Sequence, residues 1–209
     1  LSPMVYPDYR SVGAPEVRGE FEDFWGMSLD PKRGLTVVEI VNAIHADEIK
    51  GMYILGENPA MSVPDANHAR EALAKLEHLV VQDIFLTETA MFADVVLPAA
   101  TIEKYEGPID TTDQYVSAIT LRVPPMEPLF QSRGEIDIHI DLCEKAGILT
   151  GEGGYIDEVN KALKISDEFK LPLDRKPDVR DIFDRWARSS GIAEGVSFFE
   201  EKGIQVKGP

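Results

Sequence analysis

Residues 50–98 read KGMYILGENPAMSVPDANHAREALAKLEHLVVQDIFLTETAMFADVVLP, and this stretch decides the fold. Three compact apolar runs stand in it: KGMYILG, ended by Gly56, then HLVVQDIF, then ADVVLPA. Each has the length and β-favouring composition of a buried strand. Between the first two, Ser62-Val63-Pro64-Asp65 sets a hydroxyl three residues before an acid, the pattern of a capped helix start, and Pro64 is tolerated in a first turn. The helix it opens is expected to carry Ala69, Leu73, Leu76 and Val80 on one face. A short helix is expected from Thr87 to Phe92. Strand, helix, strand, helix, strand is the pattern of a parallel sheet with right-handed crossovers. The fold class is therefore α/β, an open, mainly parallel sheet with flanking helices in a Rossmann-like αβα arrangement.

Outward from this centre the regularity changes. The opening LSPMVYPDYRSVGAPEVRG, rich in Pro and Gly, reads as an extended arm. A short helix follows with Val17, Phe21, Phe24 and Trp25 to one side. The next helix starts at Thr36, with Val37, Ile40, Val41 and Ile44 at helical spacing. After Pro98, TIEKYEGPIDTTDQYVSAITLRVPP reads as a long loop closing with a strand or hairpin. Helices are expected near 134–146, 154–164, 178–189 and 197–202. The expected organisation is an arm with a short helix over 1–35, an α/β dinucleotide-binding domain over 36–147, and a helical extension over 148–209. A first residue of Leu1 rather than Met suggests an excised or processed piece.

Composition excludes several function classes. The 209 residues are 44 % hydrophobic, enough for a sizeable core. No run approaches the roughly 18 apolar residues of a membrane span, and no signal peptide pattern opens the chain. The chain reads as soluble, with a cytoplasmic setting favoured over a periplasmic one. A formal charge of -16 argues against a nucleic-acid partner, which needs a basic face. A small anionic cofactor remains compatible, because backbone N–H groups can hold phosphate. Cys143 is the only cysteine, so the chain has no disulfide and no cysteine-built metal cage of its own. Its helical setting suggests a buried structural thiol. His45, His68, His78 and His139 are scattered, with no pair at metal-ligand spacing. Glu103 with Glu106, or Asp110 with Asp113, are conceivable carboxylate pairs, but solvated loop acids are the expected reading in so acidic a chain. GEGG at 151–154 follows a helix and reads as its terminator.

Ligands of open parallel sheets bind beyond the carboxyl ends of the strands. Three polar clusters are expected there: Gly56-Glu57-Asn58-Pro59, Gln82-Asp83 and Asp94. Gly56 lets the backbone turn closely against a ligand, Asn58 can donate and accept, and Glu57 suits solvent or a hydroxyl. The helix start at Ser62 is expected to add free N–H groups. Asp83 stands 27 residues after Gly56, somewhat beyond the usual distance to a ribose-binding acid. Its carboxylate suits ribose hydroxyls or the paired N–H donors of guanine, and equally the capping of the next turn. The glycine-rich fingerprint is absent, so spacing leaves both readings open.

Four motifs in order, GENP after a strand, VVQDIFLTETA, ADVVLPAA, and an acid followed by the EG pair of KYEG, resemble the third domain of the molybdopterin oxidoreductases. That family comprises formate dehydrogenases, nitrate reductases and thiosulfate or polysulfide reductases. The upstream VYPDY and PEVRGEFEDFWG resemble formate dehydrogenase-like members, whereas the stretch from EGPIDTTDQYV to EKAGIL is similar to the thiosulfate or polysulfide reductase branch. The resemblance implies one of two molybdopterin guanine dinucleotides chelating molybdenum or tungsten. Gly56, Glu57 and Asn58 would line the dinucleotide, Ser62 its phosphate or the nearby helix start, and Gln82, Asp83 and Thr87 the guanosine, with Asp94 near the guanine end. It also implies a longer parent catalytic subunit with an iron–sulfur cluster, electron-transfer subunits and its own metal ligand, for none of which these residues offer a candidate. This segment alone is expected to be inactive. A non-catalytic nucleotide-binding or interaction domain is the alternative.

Overall fold

The computed structural model describes residues 4–112 and 117–206. The residues up to Leu97 form one compact unit and those from Pro98 another.

In the first unit the arm forms a bridge from Val5 to Ser11 and leads to α1 (Pro15–Trp25), which ends on Gly26 in the left-handed region. The Phe21 ring of α1 packs at a tilt against Tyr6, with centroids 4.8 Å apart, and against Trp25 at 4.9 Å. Helix α2 (Val37–His45) opens on Thr36 as expected, through a full capping box with Glu39. The strands are β1 (Gly51–Leu55), β2 (His78–Asp83) and β3 (Val95–Pro98), in that spatial order. β1 runs parallel to β2, from Gly51 opposite His78 to Leu55 opposite Gln82. Between them lie α3 (Pro59–Ser62) and α4 (Ala66–Leu73).

The sequence reads one helix where the chain makes two. Ser62 ends α3 instead of capping α4, and Asp65 is the cap, accepting the His68 N–H at 3.1 Å. Pro64 cannot donate, and its predecessor Val63 is extended (φ −80°, ψ 146°), as residues before proline prefer. The break falls there. α4 also stops at Leu73, so Val80 belongs to β2. The expected helix at Thr87 to Phe92 shrinks to one 3-10 turn, Ala90–Phe92.

Ile54, Leu79 and Val81 share one sheet face and pack with Ala60, Leu73 and Ala90. Val41, Ile44, Ala69 and Ala72 join α2 to α4. β1 is less buried than its composition suggests: Tyr53 and Leu55, on the other face, are 41 % and 43 % exposed.

The second unit is an antiparallel sheet with helices. β4 (Glu106–Thr112) pairs with β5 (Ser117–Arg122), and β5 with β6 (Ile204–Val206). The hairpin left open by the sequence therefore forms. Helices α5 (Glu135–Lys145), α6 (Tyr155–Ala162), α7 (Val179–Ser189) and α8 (Val196–Lys202) lie close to their expected positions. Ile140, Ile156, Phe183, Trp186 and Phe199 belong to one core with Leu121 of β5. Ile140 places α5 in this core, so the division falls at 97/98 and not at 147. Cys143 packs against the same cluster, half-buried. GEGG does not end a helix: Gly147 (φ +72°) follows α5, and Gly154 is the cap from which α6 starts. A Cβ on Gly154 would stand 2.6 Å from the Thr150 carbonyl oxygen.

Candidate functional site

At the carboxyl ends of β1 and β2 two loops meet. Gly56 takes φ +64°, open to a residue without a Cβ, and its N–H reaches the Gln82 carbonyl at 2.9 Å. This bond extends the parallel ladder by one step and sets the GENP turn beside the Asp83–Thr89 loop. Among the described residues, no atom outside Gly56 and its two chain neighbours lies within 4 Å of where a Gly56 Cβ would be, so the space over this turn is open.

Asn58 ties the two loops together. Its Oδ1 accepts the Thr89 N–H at 3.1 Å and the Thr89 hydroxyl at 2.7 Å. Its Nδ2 donates to Glu88 at 2.7 Å, which holds that carboxyl below its ordinary range. Thr89, fully buried, accepts the Ala60 N–H at 3.0 Å. Thr89 and Glu88 do not stand out as site residues in the sequence. The only available signal was the polar TET of LTETA beside an Asn whose donor and acceptor both needed partners.

The other expected residues separate into three groups. Gly56 and Glu57 are exposed at the turn, and Asp83 and Thr87 are half-buried in the facing loop. Asp83 Oδ1 accepts the Phe85 N–H at 3.0 Å, and Thr87 Oγ1 accepts the Ala90 N–H at 3.3 Å, so both also shape their loop. Gln82 is wholly buried: its Oε1 accepts from the Tyr53 hydroxyl and its Nε2 has no acceptor among the described residues. Ser62 is exposed, but its Oγ–H and its N–H both donate back to the Asn58 carbonyl, at 3.0 and 2.9 Å. The expected free N–H groups at Ser62 are therefore not there.

Asp94 lies at the opposite end of the sheet. Its Oδ2 accepts the Leu79 N–H at 2.7 Å, at the amino end of β2, 3.7 Å from His78 Nδ1. In a parallel sheet the residue before a strand stands at its amino edge, so Asp94 cannot share the crevice of Gly56 and Asp83.

A cavity of about 460 Å³ adjoins the turn, lined by Glu57 and Ser62 but mostly by apolar groups such as Val37, Ile40, Met52 and Val63. Its walls suit hydrocarbon and not a phosphate or a purine edge.

Glu103 and Glu106 are each engaged with another partner. Glu103 accepts from Thr101 N–H and Oγ1–H at 2.9 and 2.8 Å, and Glu106 pairs with Arg122. Asp113 lies outside the described residues, and Asp110 is described only as part of β4.

The sequence model of one family, described as molybdopterin oxidoreductase, matches residues 17–145. The F420-dependent formate dehydrogenase subunit alpha of Methanocaldococcus jannaschii is 45 % identical over 128 residues, 61 % of this chain and 19 % of that protein. The assimilatory nitrate reductase catalytic subunit of Bacillus subtilis is 33 % identical over 151 residues, 71 % of this chain and 20 % of that protein. Among solved structures, acetylene hydratase from Pelobacter acetylenicus superimposes with a TM-score of 0.56 at 16 % identity, covering 82 % of this chain and 20 % of that one, a likeness of fold. The chain spans about a fifth of the length of these relatives. Among the described residues, no helix is long and apolar enough to cross a membrane.

Proposed function

This chain belongs to the molybdopterin oxidoreductase family, and from that premise we propose that it forms part of a formate dehydrogenase-like catalytic subunit and supplies one half of a guanine dinucleotide site for the pterin. One observation carries the reading. The Gly56 turn and the Asp83–Thr87 loop are held side by side at the carboxyl edge of β1 and β2 by Gly56 N–H on Gln82 and by Asn58 on Thr89. The 45 % identity to a protein named as a formate dehydrogenase subunit supports that type of parent over a thiosulfate or polysulfide reductase.

The residues present fit such a group. Open space above Gly56 admits a ligand against the backbone. Asp83 keeps carboxylate acceptor capacity beyond its bond to Phe85, and a carboxylate matches the paired N–H donors of guanine. Gln82 Nε2, buried with no acceptor among the described residues, is a spare donor at this edge. In this reading Thr87 and Glu57 would meet the hydroxyls of a ribose, with Ser62 near the turn. Asn58 is a positioning residue, since Thr89 and Glu88 occupy its amide. When bound, the pterin-chelated metal would supply two-electron redox chemistry. This chain's own residues bind and orient the nucleotide tail, which fixes where the reacting end lies. The remaining domains and electron-transfer subunits of the parent are the partners in this reading.

Guanosine diphosphate titrated into the protein and followed by amide NMR tests it. Saturable shifts are expected at Gly56–Glu57 and Asp83–Thr87. Asp83→Ala should weaken binding by about 1–3 kcal/mol, the range for a charge-assisted hydrogen bond. Equal affinity for adenosine diphosphate, or equal affinity of the variant and its parent, would refute the guanine assignment.

A further inference from the structure

The packing of α2 on α4 brings together three side chains that the sequence keeps apart. His45 is the last residue of α2, while His68 and Glu71 stand three residues apart and so share one face of α4. One candidate ligand atom from each lies within 4.8 Å of the other two. The two imidazoles are stacked, with centroids 4.0 Å apart and planes inclined by 13°. The histidines show no ligand spacing along the chain, because here the pairing is between helices.

Each ring has one nitrogen committed. His45 Nε2 lies 3.0 Å from the His68 carbonyl oxygen, and His68 Nε2 lies 3.1 Å from Asn42 Oδ1. Both oxygens only accept, so each Nε2 carries a hydrogen and donates. Nδ1 is then the lone-pair nitrogen of each ring. Metal-bound histidines are held in this way, with the far N–H tied to an oxygen that sets tautomer and ring orientation. Both rings are half-buried, and Glu71 is exposed.

We propose that His45 Nδ1, His68 Nδ1 and the Glu71 carboxylate form a site for one divalent transition-metal ion of the zinc class, clamping α2 to α4, with the remaining position open to water. Two imidazoles and one carboxylate suit zinc, cobalt or nickel, whereas magnesium and calcium favour all-oxygen shells. Parallel rings cannot aim both lone pairs at one point, so binding turns them out of the stack. Rotation about Cβ–Cγ moves Nδ1 farther than Nε2, which lies nearer that axis. The site uses none of Gly56, Asp83 or Thr87 and stands independently of the nucleotide reading.

The test is calorimetric titration of zinc into the untagged, chelator-stripped 209-residue chain. One saturable ion per chain is expected, with no heat from magnesium. His68→Gln and Glu71→Gln should each weaken zinc about tenfold or more, and Asn42→Ala, which removes an orienting acceptor, by about tenfold. Glu71 is exposed, so its variant keeps the fold and keeps the test decisive. Absence of saturable zinc binding, or binding by the His68 and Glu71 variants as tight as that of the parent, overturns the proposal.

Discussion

Asn58 illustrates how one side chain organises this edge. Its carbonyl oxygen receives two donors from Thr89 and its N–H₂ group reaches Glu88. Thr89 is fully buried, so truncating its partner leaves two donors without an acceptor in a place water does not reach. Asn58→Ala should therefore lower stability by about 1–3 kcal/mol. Hydrogen exchange at the β1 and β2 amides reads the loss. Asn58→Asp separates the two halves of the brace: it keeps the acceptor for Thr89 but sets a carboxylate against Glu88. The sequence showed that Asn58 stands in a turn after a strand and can both donate and accept. It did not show which partners would take it, because Thr89 is 31 positions away and comes close only when β1 and β2 pair.

Among the elements, α5 shows how charge secures a helix. Asp141 on α5 meets Arg133 before the helix and Lys176 on the connection after α6, each at 2.5 Å. Hydrogen bonds from Arg133, then from Lys176, hold its carboxyl at about 2, below the ordinary 3.8. A depressed folded value means that its contribution is complete above 3.8 and is lost as pH falls towards about 2. Urea midpoints of the second unit should fall over that window, and Asp141→Asn should flatten that part of the profile. An unchanged profile in the variant would assign the acid sensitivity to other carboxylates. The start of α2 and the extent of α5 were readable because capping and helical periodicity are local. The break between α3 and α4 was misplaced because Ser62 and Asp65 both satisfy the capping rule and only the extended residue before Pro64 decides between them.

At the scale of the whole molecule, the two cores share no residue: the Phe183 cluster lies wholly beyond Pro98, and the Ile54 and Val41 clusters lie before it. Phe183→Ala should destabilise the second unit by about 3–5 kcal/mol, as large-to-small core changes do. Trp186 fluorescence would follow that loss, while amide protection in β1 and β2 stays as it was. Parallel loss of protection would mean that the units unfold as one. The sequence by itself determined the parallel β1–β2 pair, its crossover through helix, the turn at Gly56 and the family, since each rests on residues adjacent in the chain or on motifs in a fixed order. Tertiary structure alone decided that Asp94 stands at the far edge, that Asn58 holds Thr89, that α5 belongs to the second core, and that His45 meets His68. These are contacts between elements, and the strand direction, register and helix packing that create them are properties of the folded chain, not of neighbouring residues.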